Sequence, residues 1–263
     1  MKSLLLTGLL FILILPGCRK ETSILPLLQS VEKLIPMYAD SASVLLDSIQ
    51  APDELTDKDF AHWCMLCGKV TDEAATGLLP IYQWQRAQQW FTEHGTAEEQ
   101  AQIDLYLGRA YVEDGEYDKA MQIYADALQL AKEHQAYNMA GYICAYMADL
   151  YGFRDITSEC LKKREEACEF FKKAENYKSY AYSLKDLAGE WAILDSFACT
   201  IPLLQKADSI SQLLHNKNLT AAIANAFALI YEMQGKYNEA ETAYLKAIST
   251  RSEESYKDSI GLL

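Results

Sequence analysis

Long apolar runs are almost missing from this chain. Leu4–Leu15 is the one stretch of note, and its twelve residues fall short of the ~20 that cross a bilayer. No other segment is apolar enough to span a membrane. Proline and glycine are sparse, at 6 and 12 in 263 residues, and nowhere do they gather with serine into a linker. One continuous domain is therefore expected after the N-terminus. No segment alternates with period two, which excludes a sheet protein. Basic residues are too few to balance the acids: 24 against 37, a net charge of −13, with no run of five like charges. Such a surface argues against nucleic acid, which needs a basic patch, and against anionic lipid docked on a charged face. The four histidines, His62, His94, His134 and His215, show no metal-ligand spacing and no H-E-x-x-H. There is no glycine-rich phosphate loop and no Ser, His and Asp set. The reading is of a protein that is not an enzyme and carries no cofactor or metal.

What is present is helical periodicity. Ala101–His134 reads AQIDLYLGRAYVEDGEYDKAMQIYADALQLAKEH. Apolar residues recur every three or four positions on both sides of Asp114-Gly115, which predicts two amphipathic helices joined by a tight turn. Gly115 supplies the left-handed conformation that ends the first helix. Small residues at Gly108, Ala120 and Ala127 let the helices approach, and Leu107, Tyr111, Tyr117 and Tyr124 fill the space around them.

The pattern repeats every forty residues. Ala87, Ala127, Ala167, Ala207 and Ala247 form one column, and Gly68, Gly108, Ala148, Ala188 and Ala228 another. The Tyr111 column reads Thr71, Tyr111, Tyr151, Trp191, Tyr231. The unit at 221–254 is as clean as that at 101–134, with Phe227, Ala228, Tyr231, Gly235, Tyr237, Ala240, Tyr244 and Ala247. The two middle units are degenerate, with Arg164 where a large apolar residue is expected and Thr200 where alanine is expected. The 61–94 unit is weaker, with Thr71 and Pro80 off pattern.

Residues Leu107, Gly108, Tyr111, Gly115, Tyr117, Ala120, Tyr124 and Ala127 resemble the tetratricopeptide repeat (TPR). Its usual tryptophan is Asp104 here and its usual terminal proline is Lys132. The resemblance implies an all-α solenoid of antiparallel helix pairs, about twelve helices, over residues 24–263. The forty-residue step exceeds the usual thirty-four, so each pair has longer helices or looser turns.

At the N-terminus, Met1-Lys2 precedes the apolar run, which ends in Leu15-Pro16-Gly17-Cys18. A short basic start, a brief apolar core and a small residue before the cut are the marks of a secretory signal. Cys18 after Gly17 resembles a bacterial lipobox, which implies a lipoprotein signal peptide over 1–17, acylation of Cys18 and a lipidated tether over 18–23. Removing residues 1–17 takes away one cation, Lys2, and leaves a net charge of −14. The implied location is the cell envelope, anchored to a membrane through the acylated N-terminus and facing the periplasm.

The remaining elements are expected as follows. Ile24–Ile35 and Asp40–Ile49 form a short pair parted by Pro36, an N-terminal cap. Gln50–Thr56 is a turn, Asp57–Lys69 a helix, and Val70–Leu78 a loop. Pro80 begins a helix ending at His94, stopped by Gly95. The last helix covers Lys236–Ser249, after which Tyr256–Leu263 either folds back as a crude cap or leaves the end to a partner. The segments Tyr38–Ile49 and Asp57–Trp63 are similar to the extracytoplasmic sensor half of certain Gram-negative membrane-bound regulators. That resemblance implies an alternative function, ligand sensing in a split or truncated regulatory system.

Trp63-Cys64-Met65-Leu66-Cys67 superficially matches a thioredoxin-type W-C-x-x-C. Redox use needs a thiolate at a helix N-terminus after a strand, and no strand precedes it. Cys64 and Cys67 are read as structural, with a disulfide between them left open. Cys144, Cys160, Cys168 and Cys199 are read as buried thiols.

In TPR folds the first helix of each pair lines a concave groove. By the forty-residue register the groove positions include Tyr106, Arg109, Tyr142, Tyr146, Asp149, Tyr182, Lys185, Asp186 and Asn225. Tyr106, Arg109, Tyr142, Tyr146, Tyr182 and Lys185 are the candidate peptide-binding residues. Rigid amphipathic rings bind an extended peptide with little entropy loss, and Arg109 and Lys185 can pair a carboxylate. The competing reading packs these rings between helices.

Overall fold

The computed structural model describes residues 24–74 and 76–260, with side chains through Arg251. The signal, Cys18 and the tether lie outside the described residues. Within them the chain forms twelve α-helices, one 3₁₀ turn at Pro52–Glu54 and no strand. In order they are α1 (Leu25–Leu34), α2 (Ala39–Asp47), α3 (Asp57–Ala74), α4 (Ile81–His94), α5 (Ala97–Glu113), α6 (Tyr117–Glu133), α7 (Tyr137–Phe153), α8 (Thr157–Lys173), α9 (Tyr177–Ile193), α10 (Phe197–Leu213), α11 (Lys217–Met233) and α12 (Tyr237–Ile260). Each odd helix packs on the even helix after it, and successive odd helices also touch each other. The result is an all-α solenoid whose inner layer is built from the odd helices. Among the described residues no helix is long and apolar enough to cross a membrane.

The forty-residue step has a simple origin. From α5 to α11 every helix has 17 residues, and every connection has three. The longer helices account for the extra length, and the turns are tight. All seven turns close in one way. The middle residue is left-handed at Gly115, Gln135, Asp155, Glu175, Asp195, His215 and Gly235, with φ between 50° and 77°. The next residue's N–H donates five positions back, as from Glu116 to Tyr111 (2.8 Å), Ala136 to Ala131 (2.8 Å) and Asn176 to Phe171 (3.0 Å). This is the Schellman closure, which satisfies two carbonyls at each helix end. The backbone thus repeats every twenty residues, while the side chains repeat every forty.

The alanine column packs as its spacing requires. Ala87, Ala127, Ala167 and Ala207 are fully buried, and Ala247 nearly so. The degenerate positions are accommodated by polar bonds. Arg164 is half-buried and pairs with Asp149 (2.6 Å) and Glu190 (3.5 Å). Thr200 is fully buried and donates to the Ser196 carbonyl at 3.1 Å.

Several boundaries differ from the sequence reading. Val70–Leu78 is not all loop, because α3 continues to Ala74. Val70 and Thr71 are buried there, and the Thr71 hydroxyl donates to the Cys67 carbonyl (2.9 Å), which satisfies its polar group inside the helix. Pro80 caps α4 from outside rather than opening it. Residues 256–260 do not fold back; they extend α12 as one 24-residue helix. Cys199 is exposed rather than buried.

Candidate functional site

A groove of about 700 Å³ opens on the inner layer, and four successive odd helices contribute to it. α3 supplies Lys69, Asp72 and Glu73. α5 supplies Gln102, Tyr106 and Arg109. α7 supplies Asn138, Tyr142 and Tyr146, and α9 supplies Lys178, Ser179 and Tyr182. Five of the six candidate residues therefore share one surface. Lys185 does not line it; its ammonium pairs with the neighbouring Asp186.

The tyrosines divide into two roles. Tyr106 is 0% exposed and forms the floor. Its ring lies tilted against that of Trp84, centroids 5.3 Å apart, and its hydroxyl donates to Asp72 Oδ2 at 2.8 Å. Tyr142, Tyr146 and Tyr182 are only partly buried and present surface to the groove. The Tyr142 hydroxyl lies 2.9 Å from Ser179 Oγ, and its ring meets the edge of Phe171 at 4.9 Å, so α8 and α9 hold it from both sides. The packing reading thus applies to Tyr106, and the other three rings are available to a ligand.

Arg109 is the centre of the polar wall. It pairs with Asp72, and its guanidinium lies 4.9 Å from the Tyr146 ring and 5.8 Å from that of Tyr106. Burial pushes the Asp72 carboxyl up from its ordinary range, against the opposing charge of Arg109. Burial works against the Arg109 charge, yet Tyr146 and Asp72 hold its pKa above the usual value. Burial also raises the Tyr146 and Tyr182 hydroxyls. At neutral pH the groove therefore offers neutral phenols around a fixed ion pair. Because Asp72 already occupies Arg109, an acidic group on a ligand would meet Lys178 at the rim, which has no ion pair among the described residues.

Asp72 is the site residue that sequence reasoning missed. One carboxylate among 37 acids carries no signal, and the segment holding it was read as a loop. Asp149, Asp186 and Asn225 keep partial or full exposure on the inner layer, as their register requires.

The thiols are poorly suited to redox chemistry. Cys64 and Cys67 are free and sit in the interior of α3, far from its N-terminal dipole. Burial raises both thiols, and it pushes Cys144 and Cys168 to about 12 and Cys160 to about 11. A thiol kept protonated is a weak nucleophile. Among the described residues no three His, Cys, Asp or Glu side chains are placed to hold a metal ion.

Tetratricopeptide-repeat family patterns match residues 107–135 and 220–254, the two units that are cleanest in sequence. No curated protein sequence matches the chain. Solved structures match over most of its length at low identity. BtubC from P. vanneervenii superposes with a TM-score of 0.61 at 16% identity, covering 89% of this chain and 91% of that one. RapI in its apo form gives 0.61 at 14% identity over 88% and 98%. A Rap protein complexed with Competence and Sporulation Factor gives 0.71 at 16% identity over 88% of this chain and 65% of that chain. At these identities the likeness concerns the fold alone. The helix pairs, the seven identical turns and the matched repeats together make this chain an α-solenoid that contains tetratricopeptide repeats.

Proposed function

We propose that the protein is a membrane-anchored interaction module of the bacterial cell envelope, and that its inner groove takes an extended protein or peptide segment. The observation that carries the binding half is the trio of partly exposed rings, Tyr142, Tyr146 and Tyr182, on one wall of a 700 Å³ groove beside the Arg109–Asp72 pair. Aromatic rings of fixed rotamer give large contact area at low entropic cost, and a groove 700 Å³ in volume holds several side chains of an extended segment. The Rap neighbour solved with Competence and Sporulation Factor supports the same reading, since a solenoid of this shape there carries a bound partner. The anchoring half rests on the lipobox-like Leu15–Cys18 in the sequence.

Two measurements test the two halves separately. Photo-crosslinkers placed at Tyr182 in the groove and at Gln122, which is not on the inner layer, should capture a partner from envelope extracts only at Tyr182. Capture only at Gln122 would refute the groove. Fractionation of Cys18→Ser should move the protein out of the membrane pellet, and unchanged pelleting would refute acylation at Cys18.

A further inference from the structure

The overall charge of −13 is spread unevenly over the turns. Odd helices start, and even helices end, at one edge of the solenoid; the reverse holds at the other edge. At the edge where odd helices end, the turn segment 113–119 holds four acids and one lysine. At the opposite edge, segment 170–180 holds three lysines and one glutamate. Between α8, α9 and α10 at this second edge lies a cleft of about 470 Å³, lined by Lys172, Tyr177, Tyr180, Lys206, Ile210, Leu213 and Leu214. Leu213 is 80% exposed, and Tyr177 and Leu214 are also exposed. Lys172 and Lys206 have no ion pair among the described residues, and Lys206 leans over the Tyr180 ring at 5.2 Å. An apolar cleft with exposed leucines and tyrosine, flanked by unpaired lysines, is the pattern of a bilayer interface. Leucine enters the acyl region, tyrosine sits at the headgroup level, and lysine reaches anionic headgroups.

The chain's own geometry brings this edge to a membrane. Glu32 in the last turn of α1 pairs with Lys69 of α3 at 3.1 Å. Leu25 at the start of α1 shares a small cavity with His62 of α3 and Glu99 of α5. Hence α1 runs parallel to α3 and begins at the edge where the odd helices start. Cys18 lies six residues before Ile24, a reach of roughly 20 Å when extended. An acyl anchor at Cys18 would therefore hold this edge, and not the opposite one, close to the bilayer.

The geometry points to the α8–α10 edge as a second membrane contact, in which the cleft accepts an acyl chain of an anionic lipid and Lys172 and Lys206 meet its phosphate. This rests on the anchored reading for its orientation, and its test does not depend on that reading. The mature chain from residue 18 carrying Cys18→Ser has no anchor, so its binding to vesicles reports the edge alone. It should sediment with vesicles containing one-third phosphatidylglycerol and not with purely zwitterionic ones. The further changes Lys172→Gln, Lys206→Gln and Leu213→Ser should weaken that binding on the order of tenfold or more. All three side chains are exposed, so the helical circular dichroism should stay unchanged. Hydrogen exchange on anionic vesicles should slow at 172–178 and 210–216 and remain unchanged at 113–117 and 193–197. No binding to anionic vesicles, binding that survives the triple change, or equal protection of both edges would each overturn the inference. Failure of the fractionation test with Cys18→Ser would remove the anchor while leaving this vesicle result to stand or fall by itself.

Discussion

The ring of Tyr106 rests on the α-carbon of Gly68. A β-carbon at Gly68 would fall 2.3 Å from the ring's Cε2, closer than any real contact. A similar ring-on-glycine fit joins Gly108 of α5 to Tyr124 of α6, at 2.2 Å. Small and large residues exchanged between neighbouring helices thus set the distance at which α3 and α5 pack, and with it the floor of the groove.

Gly68→Ala should therefore do more than crowd the core. Tyr106 must move, and its hydroxyl then leaves Asp72, the partner of Arg109. Overpacking of this kind costs about 1–3 kcal/mol. Denaturant unfolding should show that loss. An unchanged midpoint would mean that α3 and α5 are not held by this contact.

The seven turns carry a second expectation. Five of them place Gln135, Asp155, Glu175, Asp195 and His215 in the left-handed region, where a β-carbon is strained by about 1 kcal/mol. Gln135→Gly and Glu175→Gly should each stabilise the protein by up to that amount, and the two should add, since they lie in separate turns. Gly115→Ala should destabilise by a similar amount. Destabilisation by both glycine substitutions would contradict the turn geometry.

Asp104 stands where the repeat pattern expects tryptophan. Burial raises its carboxyl to about 6, although Gln88 Nε2 donates to it at 2.7 Å. The folded state thus holds the proton more tightly than the unfolded chain does. Stability from this group is fully present below pH ~4 and is lost as pH rises through about 6. Asp104→Asn keeps an oxygen for Gln88 and removes the ionisation. It should stabilise the protein on the order of 1 kcal/mol at pH 7.5 and have little effect at pH 4. Thermal unfolding at the two pH values checks this, and an equal effect at both would contradict the buried carboxylate.

Much of this architecture was legible in the sequence because side-chain size repeats there. The Ala127 and Gly108 columns fixed the register, and the register placed Tyr142, Tyr146 and Tyr182 on one wall. Other features have no side-chain signature. The twenty-residue turn is a backbone device, and glycine marks it only at Gly115 and Gly235. Thr71 falls off the repeat pattern and within the expected loop Val70–Leu78, yet its hydroxyl is satisfied one turn back at the Cys67 carbonyl and the helix runs on. Lys185 sits at a groove position by register, but the adjacent Asp186 draws its ammonium aside. Tyr106 follows the same register as Tyr146, but its ring covers Gly68 and becomes floor, whereas the glycine at the matching position, Gly108, is covered by Tyr124.

The central claim is that the inner groove is the working surface. Its most direct test is partner capture by the double variant Tyr142→Ser, Tyr182→Ser. Both rings are partly exposed, and a few aromatic anchors commonly dominate such binding, each worth about 2 kcal/mol or more. The account predicts that capture from envelope extracts falls at least a hundredfold while helical circular dichroism stays at the parent level. Full capture by a folded double variant would contradict it and move the binding surface off the groove.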